Sequence, residues 1–237
     1  MKQSKRAEEP RHALASVSIF SGLPLEGLEA IHRCCSWRRY SGGESILAYL
    51  DQSDAVFFVA EGEVCVTIYS TTGKAVSFRN LGPGSTFGEY GAIDGAVRCA
   101  SVEARTPCLV ASMGAPAFRK LLQTEMVVSQ ALIRDLVKNV RTLTQRVYEF
   151  STLAVNNRIQ GELLRLASLA PKDGKSARID PAPTHSEIAS RVSTHREAVT
   201  RELNRLSRVG IIERQDKTLI VRDVERLTAM LHEMTGE

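Results

Sequence analysis

One stretch of the chain combines the residue types of an anion site. Residues 87–98 read FGEYGAIDGAVR, with Gly88 and Glu89 at one end and a single basic residue, Arg98, at the other. Strand-like patterns flank the stretch, so we expect Arg98 to be buried. A buried guanidinium needs a compensating anion. Either a carboxylate such as Glu89 supplies it in a domain without a ligand, or a bound molecule does.

A second stretch has the pattern of two short helices joined by a tight turn. Residues 184–209 read THSEIASRVSTHREAVTRELNRLSRV. Thr184 followed by Glu187 predicts a capping box at the first helix, and Thr194 followed by Glu197 predicts another at the second. We place the turn at Ser193 and Thr194. Gly210 suits the end of the second helix.

The second of these helices has one apolar and one polar side. At about 100° per residue, the apolar side collects Val199, Leu203 and Leu206, and the polar side collects Arg196, Glu197, Thr200, Arg201, Asn204 and Arg208. Arginine commonly binds guanine with two hydrogen bonds, and glutamate can accept one from cytosine. A helix–turn–helix places such a helix in the DNA major groove. The alternative is the solvated face of an ordinary helix.

Composition sets limits on the class of protein. The chain has 237 residues, of which 43% are hydrophobic and 24% charged, with a net charge of +4, which permits a nucleic-acid partner without requiring one. It lacks a run long and apolar enough for a membrane span and an N-terminal secretory signal, so we expect a cytoplasmic protein with no membrane partner and a flexible tail at residues 1–12. Five cysteines without a CxxC spacing indicate reduced thiols packed as small apolar residues.

Three segments follow the tail. Residues 13–115 contain short strand-like runs separated by glycines, which is typical of a small antiparallel barrel or sandwich. Residues 116–155 predict a long helix interrupted at Asn156-Asn157, and residues 156–237 hold the helix–turn–helix and a β-hairpin turning at 215–217. Apolar residues of the long helix approach a heptad spacing, which favours a homodimer over packing on the barrel of the same chain: Leu132, Leu136, Val140, Leu143, Val147, Phe150 and Ala154.

In this order, the chain resembles the cAMP receptor protein branch of the bacterial Crp/Fnr transcription regulators, from about residue 14 to 230. FGEYGAIDGAVRCASV resembles the phosphate-binding cassette of that family, and HREAVTRELNRL resembles its recognition helix. The resemblance implies an α+β fold with a jelly-roll-like cyclic-nucleotide-binding β-barrel (13–115), a dimerisation helix (116–155) and a C-terminal winged helix–turn–helix (156–237).

For the cassette, the resemblance implies that Gly88 and nearby backbone amides approach the cyclic phosphate, Glu89 binds the ribose 2′-hydroxyl and Arg98 pairs with the phosphate. Such a division suits the chemistry, because a guanidinium can bind two phosphate oxygens and a carboxylate would repel them. The implied nucleotide-binding set is Phe87, Gly88, Glu89, Arg98, Cys99, Ala100, Leu143 and Thr144. Leu143 and Thr144 align with two hydroxyl residues that reach adenine in the family. Because Leu143 departs from that pattern, cAMP and cGMP both remain open.

For the helix–turn–helix, the resemblance implies that Arg196, Glu197 and Arg201 read bases in a TGTGA half-site. Thr200 lies on the same face, and Thr184, Ser193 and Thr194 are candidates for phosphate contacts. A two-fold dimer, formed through residues 126–155, would bind a palindrome. The predicted function is therefore allosteric transcription control by cAMP or cGMP without a metal, with double-stranded DNA and RNA polymerase as partners.

Three alternatives stay open at this point. A Crp/Fnr-type regulator could sense oxidation, haem, an iron–sulfur cluster or a small metabolite, with His32, Cys34 and Cys35 as suspects. A nucleotide-binding module could regulate a partner protein instead of DNA. Catalysis is disfavoured because the histidines are scattered and neither HExxH nor GxSxG occurs, so we expect no enzyme.

Overall fold

A computed structural model describes residues 13–69 and 75–235 of the chain. The chain divides into two compact units, with the boundary between Val140 and Arg141. The tail predicted at residues 1–12 lies outside the described residues. No helix in the described part is both long enough and apolar enough to cross a bilayer.

The first unit contains two four-stranded antiparallel sheets, as the sequence predicted for this region. Short 3₁₀ turns at Ala13–Ser16 and Ser18–Phe20 precede the first helix, α1 (Leu25–Arg33). The strands are β1 (Ser36–Tyr40), β2 (Ser45–Leu47), β3 (Val56–Glu61), β4 (Val64–Tyr69), β5 (Ala75–Leu81), β6 (Thr86–Phe87), β7 (Ser101–Ala104) and β8 (Cys108–Met113), with α2 (Glu89–Asp94) between β6 and β7. Their orders are β1-β8-β3-β6 and β2-β7-β4-β5.

Both faces of strand β3 are buried, and this explains its unbroken apolar sequence. Phe57 and Val59 belong to a core shared by strands of the two sheets. Val56 and Phe58 belong to a second core with the N-terminal turns, α1 and later helices. Because side chains alternate across a strand, a strand covered on both sides must be apolar at successive positions.

The prediction of one helix over 116–155 with a break at Asn156-Asn157 is wrong in its boundaries. Three helices cover the region: α3 (Ala115–Thr124), α4 (Met126–Thr152) and α5 (Val155–Leu169). The chain leaves helical geometry at Leu153 and Ala154, where Ala154 is extended (φ −61°, ψ 155°) and caps α5. Asn156 and Asn157 lie in the first turn of α5, where backbone N–H groups lack partners within the helix and asparagine is well tolerated.

The predicted dimer seam divides into two parts on α4. Leu132 is buried in the core of the first unit, together with Val128. Val140, Leu143, Val147 and Phe150 are 62%, 46%, 64% and 39% exposed in the single chain. The start of the helix therefore packs on its own unit, and its later apolar residues form an uncovered stripe.

The second unit is a helix–turn–helix with an antiparallel sheet. After α5 come β9 (Lys172–Asp173), β10 (Ser176–Ile179), α6 (His185–Arg191), α7 (Arg196–Arg208), β11 (Ile212–Gln215), β12 (Thr218–Val221) and α8 (Val224–Thr235). The strand order is β11-β12-β10-β9. The predicted hairpin turn is present, with Asp216 in the left-handed region (φ 49°). The core of the second unit joins its helices α5, α6, α7 and α8 to the sheet. The predicted α+β class is confirmed.

Candidate functional site

Arg98 lies between α2 and β7 and is only 3% exposed. The backbone on either side of the side chain is fixed, because its N–H donates to the Asp51 carbonyl at 2.9 Å and its carbonyl accepts from Leu50 N–H at 2.9 Å. The loop that follows β2 thus holds the backbone of the arginine through two hydrogen bonds. A residue on this short connection becomes a fixed, buried cation.

The guanidinium of Arg98 is held by neutral oxygens. Its Nε donates to Ser53 Oγ at 3.1 Å, and its two terminal nitrogens donate to the carbonyls of Gly88 at 2.7 Å and Ala55 at 2.6 Å. No carboxylate of the described residues forms an ion pair with it. Asp51 acts indirectly, because its carboxylate accepts a hydrogen bond from the same Ser53 hydroxyl at 2.9 Å. Burial lowers the pKa of Arg98, while Asp51 and Asp54 partly oppose this effect.

Two glycines make room for this guanidinium. Gly88 has φ 78°, and a Cβ built on it would lie 3.0 Å from both the Ala55 carbonyl and an Arg98 terminal nitrogen. A Cβ on Gly91 would lie 3.3 Å from that same nitrogen. The sequence reasoning assigned Gly88 to the approach of backbone amides to a phosphate. In the structure, the missing side chain at Gly88 also leaves space for the Arg98 guanidinium.

Glu89 opens α2 and is only 5% exposed. Burial raises the pKa of its carboxyl, and Arg79 and Arg98 oppose the rise through their charges. Arg79 on β5 donates to Asn139 Oδ1 on α4 at 2.5 Å. A buried carboxylate near these polar groups is suited to accept hydrogen bonds from a neutral hydroxyl donor.

The other predicted cassette residues differ in exposure. Phe87 is buried and stacks on Phe57, with ring centroids 5.0 Å apart and planes 7° apart, so its ring serves the core. Ala100 is buried, and Cys99 is exposed. Leu143 and Thr144 lie on the part of α4 that belongs to the second unit, and their approach to a ligand stays a prediction.

The first helix of the helix–turn–helix begins as predicted. Thr184 Oγ1 accepts from Glu187 N–H at 3.2 Å, and the Glu187 carboxylate accepts from Thr184 N–H at 2.7 Å. The predicted second capping box is wrong. His195 is the N-cap residue of α7, and no side chain makes a capping bond there. Thr194 lies one position before this N-cap residue and is buried. Its N–H donates to the Ala189 carbonyl and closes the turn, in which Ser193 has φ 52°.

Helix α7 buries the predicted apolar side and exposes the predicted polar one. Val199, Leu203 and Leu206 are buried in the core of the second unit. Arg196, Glu197, Thr200 and Arg201 line one shallow depression at the surface. Their spacing of one helical turn puts two guanidinium groups and one carboxylate, which are the groups that commonly bind base edges, on the same side of the helix.

Thr200 already has partners in the structure. Its hydroxyl donates to the Arg196 carbonyl at 3.0 Å and lies 2.8 Å from His185 Nδ1. Burial lowers the pKa of His185, and the charges of Arg214 and Arg196 add to the effect. Thr200 therefore connects the two helices of the motif besides facing the depression.

A buried hydrogen-bond network connects α7 to α5. Glu202 is 2% exposed and accepts from Gln160 at 2.7 Å and from Arg205 at 2.7 Å and 2.9 Å. The buried carboxylate thus holds Arg205, which is not one of the arginines that line the surface depression. Sequence reasoning missed Glu202 and Gln160, because a buried polar pair 42 residues apart leaves no periodic signal.

Sequence reasoning also missed the groups that hold Arg98. Ser53 and Ala55 lie more than 40 positions before it, and Ala55 contributes a backbone carbonyl that any residue could supply. Arg79 and Asn139 were missed for the same reason, since only the fold brings them together.

Cys35, one of the two adjacent cysteines, offers little reactive chemistry in this fold. Burial raises the pKa of Cys35 to about 12, and the neighbouring Cys34 adds to the rise. The thiol is therefore protonated and poorly nucleophilic at neutral pH. Within the described part of the chain, no cluster of three or more His, Cys, Asp or Glu side chains is placed to hold a metal.

Each of the two units contains a match to a known protein family. Residues 37–125 match the cyclic nucleotide-binding domain, and residues 157–230 match the Crp-like helix-turn-helix domain. The first match contains Arg98 and its partners, and the second contains α6 and α7. Together they include both candidate sites.

Known proteins extend the similarity to most of the chain. The cAMP-activated global transcriptional regulator Vfr of Pseudomonas aeruginosa is 28% identical over 213 residues, covering 86% of this chain and 98% of Vfr. Two solved structures share the fold. The c-di-GMP responsive global regulator CLP of Xanthomonas campestris matches with a TM-score of 0.73 and 21% identity over 84% of this chain and 99% of CLP. A CooA mutant from Carboxydothermus hydrogenoformans matches at 0.75 and 19%, over 85% and 90%.

Proposed function

We propose that this chain, which belongs to the Crp/Fnr superfamily of transcription regulators, binds a cyclic nucleotide, cAMP or cGMP, and in response binds palindromic DNA as a homodimer. Arg98 is the observation that carries the proposal. It is a buried cation with no carboxylate of the described residues paired to it, at a position where the family binds a phosphate.

The hydrogen bonds of Arg98 leave capacity for such a ligand. A guanidinium has five N–H groups, and three of them are engaged by Ser53, Gly88 and Ala55. One N–H remains on each terminal nitrogen. Two donors of this kind can bind two oxygens of a cyclic phosphodiester, whose single negative charge would neutralise the buried cation.

We assign the ribose end of the nucleotide to Glu89 and the purine end to Leu143 and Thr144. The buried Glu89 carboxylate can accept a hydrogen bond from the 2′-hydroxyl, and the charges of Arg79 and Arg98 oppose the rise in its pKa that burial causes. Thr144 offers one hydroxyl where relatives offer two, so either an amino group or a carbonyl of the purine can be its partner.

DNA recognition is assigned to the exposed side of α7. Arg196, Glu197 and Arg201 would read a TGTGA half-site, Thr200 would support Arg196, and Thr184, Ser193 and Thr194 would bring the helix to the phosphates. The break at Leu153 and Ala154 would act as the hinge between ligand-binding and DNA-binding regions. The ligand acts by favouring the DNA-competent arrangement, so DNA must tighten ligand binding in return.

The test is fluorescence anisotropy of a labelled TGTGA-N6-TCACA duplex at one fixed salt concentration, because phosphate contacts make affinity depend on salt. The protein is titrated alone, with cAMP and with cGMP. Tight binding only with a nucleotide supports the proposal and identifies the nucleotide. Equal binding in all three titrations would overturn the nucleotide dependence and leave a regulator that responds to a non-nucleotide signal.

Two variants separate the parts of the proposal. Arg98→Gln should lose the nucleotide response, whereas Arg105→Gln, which changes a partly buried arginine elsewhere in the first unit, should keep it. If the unmodified chain and Arg105→Gln bind nucleotide but neither binds the duplex, the chain is a nucleotide-binding module for a protein partner.

A further inference from the structure

A recess in the second unit collects five arginines that the proposed function does not use. It has a volume of about 420 Å³ and lies among residues of the later half of α4, of α5 and of the end of α6. Its arginines are Arg141, Arg146, Arg158, Arg165 and Arg191, and its carboxylates are Glu149 and Glu162. Its size is within the range of small-molecule sites in proteins.

The carboxylates do not balance these charges. Five guanidinium groups against two carboxylates leave a net charge of +3 around one recess. Glu162 is fully engaged, because it accepts from Arg165 at 2.6 Å and 2.8 Å and from Arg191 at 2.9 Å. Glu149 accepts from the Gln145 amide at 3.0 Å. The single charge of Glu162 is thus shared by two arginines.

The excess charge is partly removed from water. Arg191 has a side-chain exposure of 7%. Burial lowers the pKa of Arg146, and the charges of Arg165 and Arg191 add to this against the attraction of Glu162 and Glu149. Like charges held together away from solvent destabilise one another unless an anion joins them.

One group in the recess lacks a hydrogen-bond partner. The Nε atom of Arg158 is buried without one, although N–H groups in such positions are almost always paired. The guanidinium of the same residue lies 5.2 Å from the centre of the Phe150 ring. A half-exposed ring and an unpaired donor thus lie side by side at the edge of the recess.

We propose that this recess is a second ligand site, distinct from the cassette, for an anion that carries one or more phosphate groups. Arg146 and Arg158 bind the phosphate oxygens, with Arg141 at the rim. Arg165 and Arg191 keep their bonds to Glu162 and contribute charge only. Because α5 and α6 belong to the DNA-binding unit, the ligand contacts the elements that support the recognition helix. Binding at this recess does not depend on a cyclic nucleotide in the first unit.

Isothermal titration calorimetry of the full-length chain tests the proposal with inorganic pyrophosphate and, separately, with AMP. To keep the cassette silent, both titrations are repeated in the Arg98→Gln variant. We expect one saturable site per chain in both backgrounds, with a Kd below roughly 1 mM. Tighter binding of AMP would assign a nucleotide as the ligand, since Phe150 can stack on a base, and tighter binding of pyrophosphate would assign a free phosphate.

Two substitutions locate the site. Arg158→Gln and Arg146→Gln should each weaken binding about tenfold, because each removes a charge-assisted hydrogen bond. Arg226→Gln, at an exposed arginine on α8 outside the recess, should leave binding unchanged. Arg141→Gln, at an exposed rim position, gives a second set of data if a half-buried substitution prevents folding.

Three results would overturn the proposal. The first is no saturable binding of either probe, as expected if a second copy of the chain covers the recess. The second is binding that disappears in Arg98→Gln, which would place the anion in the cassette. The third is equal weakening by Arg226→Gln and Arg158→Gln, which would indicate unspecific attraction to a basic surface.

Discussion

The two sites use arginine in opposite ways. Arg98 is 3% exposed and donates three hydrogen bonds, two of them to Ser53 and Ala55, which are distant in sequence. Arg196 and Arg201 are exposed on one side of a single helix. The first arrangement suits a small anion that must be enclosed, and the second suits a large polyanion that brings its own surface. A site for an enclosed ligand needs the whole unit, whereas a site for DNA needs one well-supported helix.

The largest expected effect is on the buried arginine. Arg98→Gln should weaken cAMP and cGMP binding at least about thirtyfold, because truncating one partner of a buried charge pair costs more than about 2 kcal/mol. Calorimetry with each nucleotide measures this, and circular dichroism checks the fold. A loss of less than threefold would contradict the role of Arg98 as an enclosed anion site, since it would mean that the phosphate is bound elsewhere.

A buried charge in the second unit gives the next effect. Burial favours a raised pKa for Glu162, but the hydrogen bonds and charges of Arg165 and Arg191 outweigh it and hold that pKa below its usual value. A lowered carboxyl pKa stabilises the fold above the unfolded-state pKa, and this contribution is lost as pH falls through the folded-state pKa. Glu162→Gln should therefore cost about 2 kcal/mol at pH 7 and remove part of the acid sensitivity.

Urea unfolding at a series of pH values from about 7 down to 3 measures that prediction. Glu225→Gln is the control, because Glu225 and its partner Lys175 are 71% and 67% exposed, and exposed pairs contribute little. Similar pH profiles for Glu162→Gln and the unmodified chain would show that the buried pair is neutral in its effect on stability.

The exposed arginines come third. Arg196→Ala should reduce affinity for the TGTGA duplex about tenfold to a hundredfold, as expected for loss of one two-bond contact to guanine, and should leave nucleotide affinity unchanged. Arg178→Ala, at an exposed arginine on β10, is the matched control in anisotropy titrations. A simultaneous loss of nucleotide binding in Arg196→Ala would contradict the separation of the two sites.

The smallest effect is on the glycine that makes room for Arg98. Gly88→Ala places a Cβ at φ 78° within 3.0 Å of the Ala55 carbonyl, which should destabilise the first unit by about 1–2 kcal/mol. Thermal unfolding measures this change. Gly82→Ala is the control, since its added Cβ would meet no atom within 4 Å. Equal melting temperatures for both variants would show that the backbone of α2 shifts without cost.

Local patterns predicted those features whose partners lie close in sequence. The capping box of Thr184 and Glu187, the buried side of α7 at Val199, Leu203 and Leu206, and the hairpin turn at Asp216 all depend on contacts within a few residues. Where two local solutions compete, prediction failed. Thr194 had the spacing of a second cap, but the turn buried it and left His195 at the helix start.

The sequence by itself determined that a cassette with one arginine precedes a helix–turn–helix, because residue type and spacing are sufficient to indicate both. Only the tertiary structure decided what surrounds that arginine, since Ser53 and Ala55 reach Arg98 through the folding of the sheets. It also decided that α4 ends at Thr152 and that Arg146, Arg158 and Arg191 line one recess. Helix and strand periodicity report which side of an element is buried, but packing between distant elements decides which charges meet.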